Sequence, residues 1–138
     1  MNKAKKIGLE DFIKKATDKY SKRKKVAEIE VEGFGLLTFK RPTDAELLEF
    51  KSVLANSVNV SKDENITKID YSNMLQASKE LLYNTCEFLH SPELITAVEA
   101  AEPYDVAVKI FGIDDTINLA QKVNEEFEDQ EISKKVKN

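Results

Sequence analysis

The sequence predicts an α+β fold that is mostly α, a helical domain with one β-hairpin following an N-terminal amphipathic helix. Three observations carry this. The 138 residues hold no Trp, only 4 Gly and 3 Pro, and a Lys/Glu-rich remainder that favours helix. The hydrophobic period changes from about 3.6 to 2 over Val26–Arg41 and then returns. Helix-start signals recur at Thr43, Ser91, Pro103 and Asp114. A chain of 138 residues fits one domain with a sizeable core. The expected layout is a flexible basic leader at 1–8, a single helical domain at 9–128 with its hairpin at 26–41, and a charged tail at 129–138.

Leu9, Phe12, Ile13, Ala16 and Tyr20 recur at helical spacing and form one narrow apolar stripe, with Lys14, Lys15, Asp18, Lys19 and Lys22 outside it. Glu10 and Asp11 in the first turn and Lys22 to Lys25 in the last complement the helix dipole, giving a helix at about 9–23. The stripe packs on its own domain or docks in trans on a partner; the five stripe residues are the candidate partner-binding site. From Val26 the residues alternate, with Ala27, Ile29 and Val31 on one face and Val26, Glu28, Glu30 and Glu32 on the other. Gly33-Phe34-Gly35 supplies the turn, with Phe an unusual residue there, and Leu36–Phe39 returns. A two-stranded hairpin is marginal alone, so it must pack on helices or pair with another chain.

Pro42 ends the strand, and Thr43-Asp44-Ala45-Glu46 reads as a capping box for a helix to about Ala55. The polar stretch Asn56–Lys68 reads as a mobile loop. A long core helix is expected at about Tyr71–His90, with Met74, Leu75, Leu81, Leu82, Cys86, Phe88 and Leu89 on its apolar face. Ser91 caps and Pro92 opens a helix to about Ala101. Another runs from Pro103 to Phe111 with Gly112 at its end, and Asp114 or Asp115 caps a final helix to about Glu128.

Charge is asymmetric. Residues 1–25 carry ten Lys/Arg against three acids, and residues 26–138 carry eleven against twenty-two. A basic arm on an acidic body suits nucleic acid, an acidic partner, or its own body in head-to-tail association. Lys22 to Lys25 beside Tyr20 offer phosphate contacts, but the acidic body repels nucleic acid, which is the less favoured reading. No apolar run follows the basic N-terminus and none is about 18 residues long, so neither a signal peptide nor a membrane span is expected. The single Cys86 suits a reducing cytoplasm.

No catalytic constellation is present. His90 is the only histidine, which leaves no His pair for a metal and little for a catalytic triad; near a helix C-terminus it suits a structural role. Cys86 sits on an apolar face without a partner cysteine and reads as buried and inert. Glu125, Glu126, Glu128, Asp129 and Glu131 fall around a helix rather than converging. Gly33-Phe34-Gly35 lacks the Lys-Ser/Thr of a phosphate loop. The chain reads as a non-enzyme with no cofactor and no metal.

The order of elements resembles the XkdN-like tail assembly chaperones of prophages and long-tailed phages of Gram-positive bacteria. Leu9-x-x-Phe12 opens a Lys-rich helix, and Phe39-Lys40-Arg41-Pro42-Thr43 closes a strand into a Glu-rich helix. Leu81-Leu82 to Phe88, Ser91-Pro92-Glu93-Leu94, and Phe111-Gly112 before Leu119-Ala120-Gln121-Lys122-Val123 continue the likeness. The chain departs from the family pattern at Arg41-Pro42-Thr43, where the family reads Arg-Pro-Leu-Thr. The resemblance implies a non-enzymatic chaperone that coats the helical tape measure protein and helps recruit tail-tube subunits. It would act in the cytoplasm of the bacterial host and be absent from the mature virion. On that reading the stripe grips a client helix or links neighbouring copies in a homo-oligomer.

Overall fold

The computed structural model describes residues 5–60 and 66–128. The described residues fall into two units, 5–25 and 26–128. The first four residues of the leader, the 61–65 part of the expected loop, and the 129–138 tail with Asp129 and Glu131 lie outside the described residues.

The first unit is one helix, α1 (Leu9–Ser21). It begins without a side-chain cap, and none of its residues is buried. It stops two residues short of the expected Arg23. There the Ser21 hydroxyl donates to the Asp18 carbonyl at 2.9 Å, and the Lys22 amide also bonds that oxygen at 3.1 Å. Asp11 pairs with Lys15 at 3.6 Å and Asp18 with Lys22 at 3.0 Å, both one turn apart.

The second unit opens with the expected ribbon, β1 (Val26–Val31) antiparallel to β2 (Gly35–Lys40), with Ala27 opposite Phe39 and Ile29 opposite Leu37. The inward face is the apolar one: Ala27, Ile29 and Phe39 are buried while Glu28 and Glu30 are exposed. Gly33 sits at φ +87°, where a side chain would strain the turn. The capping box then starts α2 (Asp44–Asn56). The Thr43 hydroxyl accepts from the Glu46 amide at 3.1 Å while the Glu46 carboxylate accepts from the Thr43 amide at 2.9 Å.

Past α2 the stretch read as a loop contains short strands, β3 (Val58–Val60) antiparallel to β4 (Ile66–Ile69). Val58, Val60, Ile66 and Ile69 are β-branched and favour extended backbone, a signal masked by the polar residues among them.

The core helix α3 (Tyr71–Thr85) is capped by the Asp70 carboxylate and ends five residues before the expected His90. The Thr85 hydroxyl donates to the Leu81 carbonyl at 2.7 Å, Cys86 turns extended, and a 3₁₀ turn carries Glu87–His90. The change of path puts Phe88 70 % exposed, not on the apolar face, while Leu89 stays buried. His90 takes the structural role expected of it. Its ring stacks on Tyr83 with centroids 4.0 Å apart, and its Nε2–H donates to the Tyr83 carbonyl, one of the open acceptors at the end of α3.

Helix α4 (Pro92–Ala97) starts on Ser91, whose hydroxyl accepts from the Leu94 amide at 3.3 Å. It ends four residues before Ala101 because Glu99 adopts a left-handed φ of 55°. The Ala100 amide bonds the Ile95 carbonyl and the Glu99 amide bonds the Thr96 carbonyl, which closes the helix in a Schellman motif with Glu where Gly is usual. Glu99→Gly is therefore expected to stabilise the protein by about 0.5–1 kcal/mol, read as a higher denaturation midpoint.

Pro103–Asp105 is a 3₁₀ turn, so the helix expected from Pro103 is only α5 (Val106–Phe111). Gly112 at φ +86° then joins α5 directly to α6 (Ile113–Glu126). Its amide bonds the Val108 carbonyl and its carbonyl accepts from Thr116. With Gly112 as the junction, neither Asp114 nor Asp115 caps α6; they lie in its first turn, where the dipole favours them.

In the core, α3 packs mainly on α6, with α2, α5 and β1 around them. Phe39, Phe50, Leu82, Val106, Val123 and Phe127 are its largest fully buried apolar side chains. Arg41 ties the ribbon's exit to the end of α6: its guanidinium donates to the Phe127 carbonyl at 3.2 Å and lies 5.8 Å from the ring centroid. The observed class is the expected one, α+β and mostly α. Among the described residues no helix is long and apolar enough to cross a membrane.

Candidate functional site

Two surfaces have the character of interaction sites, one in each unit. The first is the stripe of α1. Leu9 is 73 % exposed, Phe12 56 %, Ile13 53 % and Tyr20 72 %, and Ala16 is exposed between them. At 100° per residue all five fall within about 100° of arc, so the helix itself assembles a continuous apolar face. Lys15 and Lys19 border one side, and the basic Lys22–Lys25 follows directly. Large apolar groups gathered on one exposed face have the character of an interaction surface.

The second surface is a groove of about 570 Å³ in the second unit, between the ribbon's tip and α5–α6. Its floor is Val31, Phe34, Ile110, Phe111 and Leu119, and its rim carries Glu30, Glu32, Asp115 and Glu125 against Lys122. The sequence reading did not find it. Phe34, odd as a turn residue, sets its ring edge-on to Phe111 with centroids 5.1 Å apart and stays 54 % exposed. That contact gives the aromatic a place at the tip. Glu30 lies on the outer face of β1, and Glu32 opens the turn that follows it. Asp115 and Glu125 are ten residues apart, nearly three turns of α6, and share its groove-facing side. The acids converge only through the fold, since the ribbon's two lie over eighty residues before those of α6.

Two titratable groups among the described residues are shifted from their ordinary values. Burial pushes the Cys86 thiol above its ordinary value, the opposite of an activated nucleophile. The hydrogen bond from the Lys79 ammonium, 2.8 Å away, holds the Asp105 carboxyl below its ordinary value. This pair stabilises the fold above the usual carboxylate range and is lost as the pH falls through the lowered value. No group of three or more His, Cys, Asp or Glu that could hold a metal ion occurs among the described residues. Comparison with family models, curated proteins and solved structures finds no match to this chain.

Proposed function

We propose that this chain is a non-catalytic tail assembly chaperone of a phage or prophage, binding the tape measure protein and helping to recruit tail-tube subunits. The observation that carries this reading is the α1 stripe, whose four large apolar side chains are all more than half exposed. An amphipathic helix of this kind recognises another helix through anchors at i, i+3, i+4 and i+7, the spacing of Leu9, Phe12, Ile13 and Ala16. A long helical client offers such a face along its length. The charged remainder of the surface suits a protein that keeps an aggregation-prone client dispersed. Its place of action is the cytoplasm of the bacterial host, and the finished virion does not contain it.

Co-expression with a tape measure protein from the same gene cluster tests this directly. The client is expected in the soluble fraction and in the same affinity-purified fraction as this chain. A client that stays in the pellet and never co-purifies ends the reading. The alternative is a small nucleic-acid-binding regulator, favoured by the exposed lysines 14, 15 and 19 of α1. It requires binding to RNA or DNA that weakens steeply with salt.

A further inference from the structure

We infer that the groove between the ribbon tip and α5–α6 takes an extended segment of another protein, in which apolar residues alternate with Lys or Arg. The segment adds to the free edge of β1 as a third strand. The site is separate from the α1 stripe and does not rest on the client assigned there.

The edge is the first reason. Among the described residues β1 pairs with β2 alone, so one edge of β1 has no strand beside it. Glu30 and Val31 are successive residues of β1, and their side chains point to opposite faces of the ribbon. Both line the groove, and no residue of β2 does. A groove lined from both faces of β1 but not by its paired strand runs along the free edge, where a further strand finds main-chain partners.

Shape is the second reason. Along α6 the groove runs from Asp115 to Glu125, about 15 Å, which an extended chain spans in about four or five residues. Its volume of about 570 Å³ falls in the range of small-ligand pockets, room for a short strand rather than a helix about 10 Å across.

Charge complementarity is the third. The rim sets Glu30, Glu32, Asp115 and Glu125 against Lys122. In a paired strand, the residue opposite Glu30 shares its outer face and the residue opposite Val31 shares the inner one. A Lys or Arg opposite Glu30 therefore meets a carboxylate, while its apolar neighbour turns toward Val31 and Leu119. Main-chain bonds to the edge hold a strand of any sequence, and this alternation selects which one.

The probe is a fluorescein-labelled peptide of about eight residues in which Val alternates with Lys. Fluorescence anisotropy follows its titration with the purified full chain in about 0.15 M salt, where charges more than about 8 Å apart are screened. One control peptide carries Glu in place of Lys. Another is N-methylated throughout, which keeps side chains and charges and removes the main-chain donors. The groove variant is Glu30→Lys with Glu32→Lys. A charge-matched variant, Glu49→Lys with Glu102→Lys, alters exposed positions away from the groove. The stripe variant is Phe12→Glu with Tyr20→Glu. Circular dichroism and unfolding midpoints check that all are folded, and Gln replaces Lys at the four glutamate positions if either charge variant fails.

The Val–Lys peptide is expected to bind saturably. The groove variant, the Val–Glu peptide and the N-methylated peptide are each expected to weaken binding at least about tenfold. The charge-matched and stripe variants are expected to bind within about threefold of wild type. No saturable binding up to about 1 mM overturns the proposal. So does binding that survives in the groove variant or with the N-methylated peptide. An equal loss in the charge-matched variant marks non-specific attraction to the acidic body, and a loss confined to the stripe variant places the peptide on α1; either overturns it. Hydrogen exchange identifies the occupant. New protection of the outer-edge amides of β1 is expected only with peptide. Protection already present without peptide means that this chain or a second copy fills the edge, and overturns the proposal.

Discussion

Phe39→Ala is expected to lower the stability of the protein by about 3–5 kcal/mol, the cost of emptying a fully buried phenylalanine site. Phe39 is 1 % exposed and lies opposite Ala27, so one large ring and one small side chain sit together on the ribbon's inner face beside Ile29. A two-stranded ribbon has little stability of its own, and this ring is its main anchor in the helical core. The loss is a large fraction of an ordinary domain's 5–15 kcal/mol. Guanidinium denaturation checks it: the midpoint should fall while the slope stays constant. Leu36→Ala on the outer face, where the side chain is 65 % exposed, is the control and should change stability by no more than about 0.5 kcal/mol. A Phe39→Ala loss below about 1 kcal/mol would mean that the ribbon is held by something else.

The second large effect falls on binding. Phe12→Glu with Tyr20→Glu is expected to weaken capture of a tape-measure segment at least about 100-fold. Aromatic anchors at the centre of an interface are each worth about 2 kcal/mol or more, and a carboxylate in their place adds a desolvation cost. Titration calorimetry with a soluble client fragment gives the ratio. An affinity for the fragment within about threefold of wild type in the stripe variant would move the client site off α1.

Elements whose signals are local were legible in the sequence. The β1 alternation, the Thr43–Glu46 capping box, the Ser91-Pro92 start and the burial of Cys86 all depend on neighbours a few residues away, and all are present. The misread boundaries depend on backbone choices that periodicity does not report. Thr85 and Cys86 divert the chain out of α3 although the apolar pattern continues, and Phe88 is exposed as a result. Glu99 takes a left-handed conformation that Gly would have announced. Gly112 lets α5 and α6 meet without a loop, which removes the need for an Asp cap.

The α1 stripe was visible because a single helix creates it. The groove was not, because Glu30 and Glu32 come to line one groove with Asp115 and Glu125 only after the ribbon packs against α6. Its one sequence-level sign was Phe34, an apolar aromatic where a turn usually carries a polar residue.

The central claim is that the stripe on α1 serves another molecule rather than this chain's own core. Equilibrium denaturation of the full-length Phe12→Glu, Tyr20→Glu variant beside wild type tests it most directly. The claim predicts unfolding free energies that agree within about 0.5 kcal/mol, as expected for substitutions at exposed positions. A loss of about 2 kcal/mol or more, the signature of charges forced into a packed site, would place the stripe in the core and contradict it.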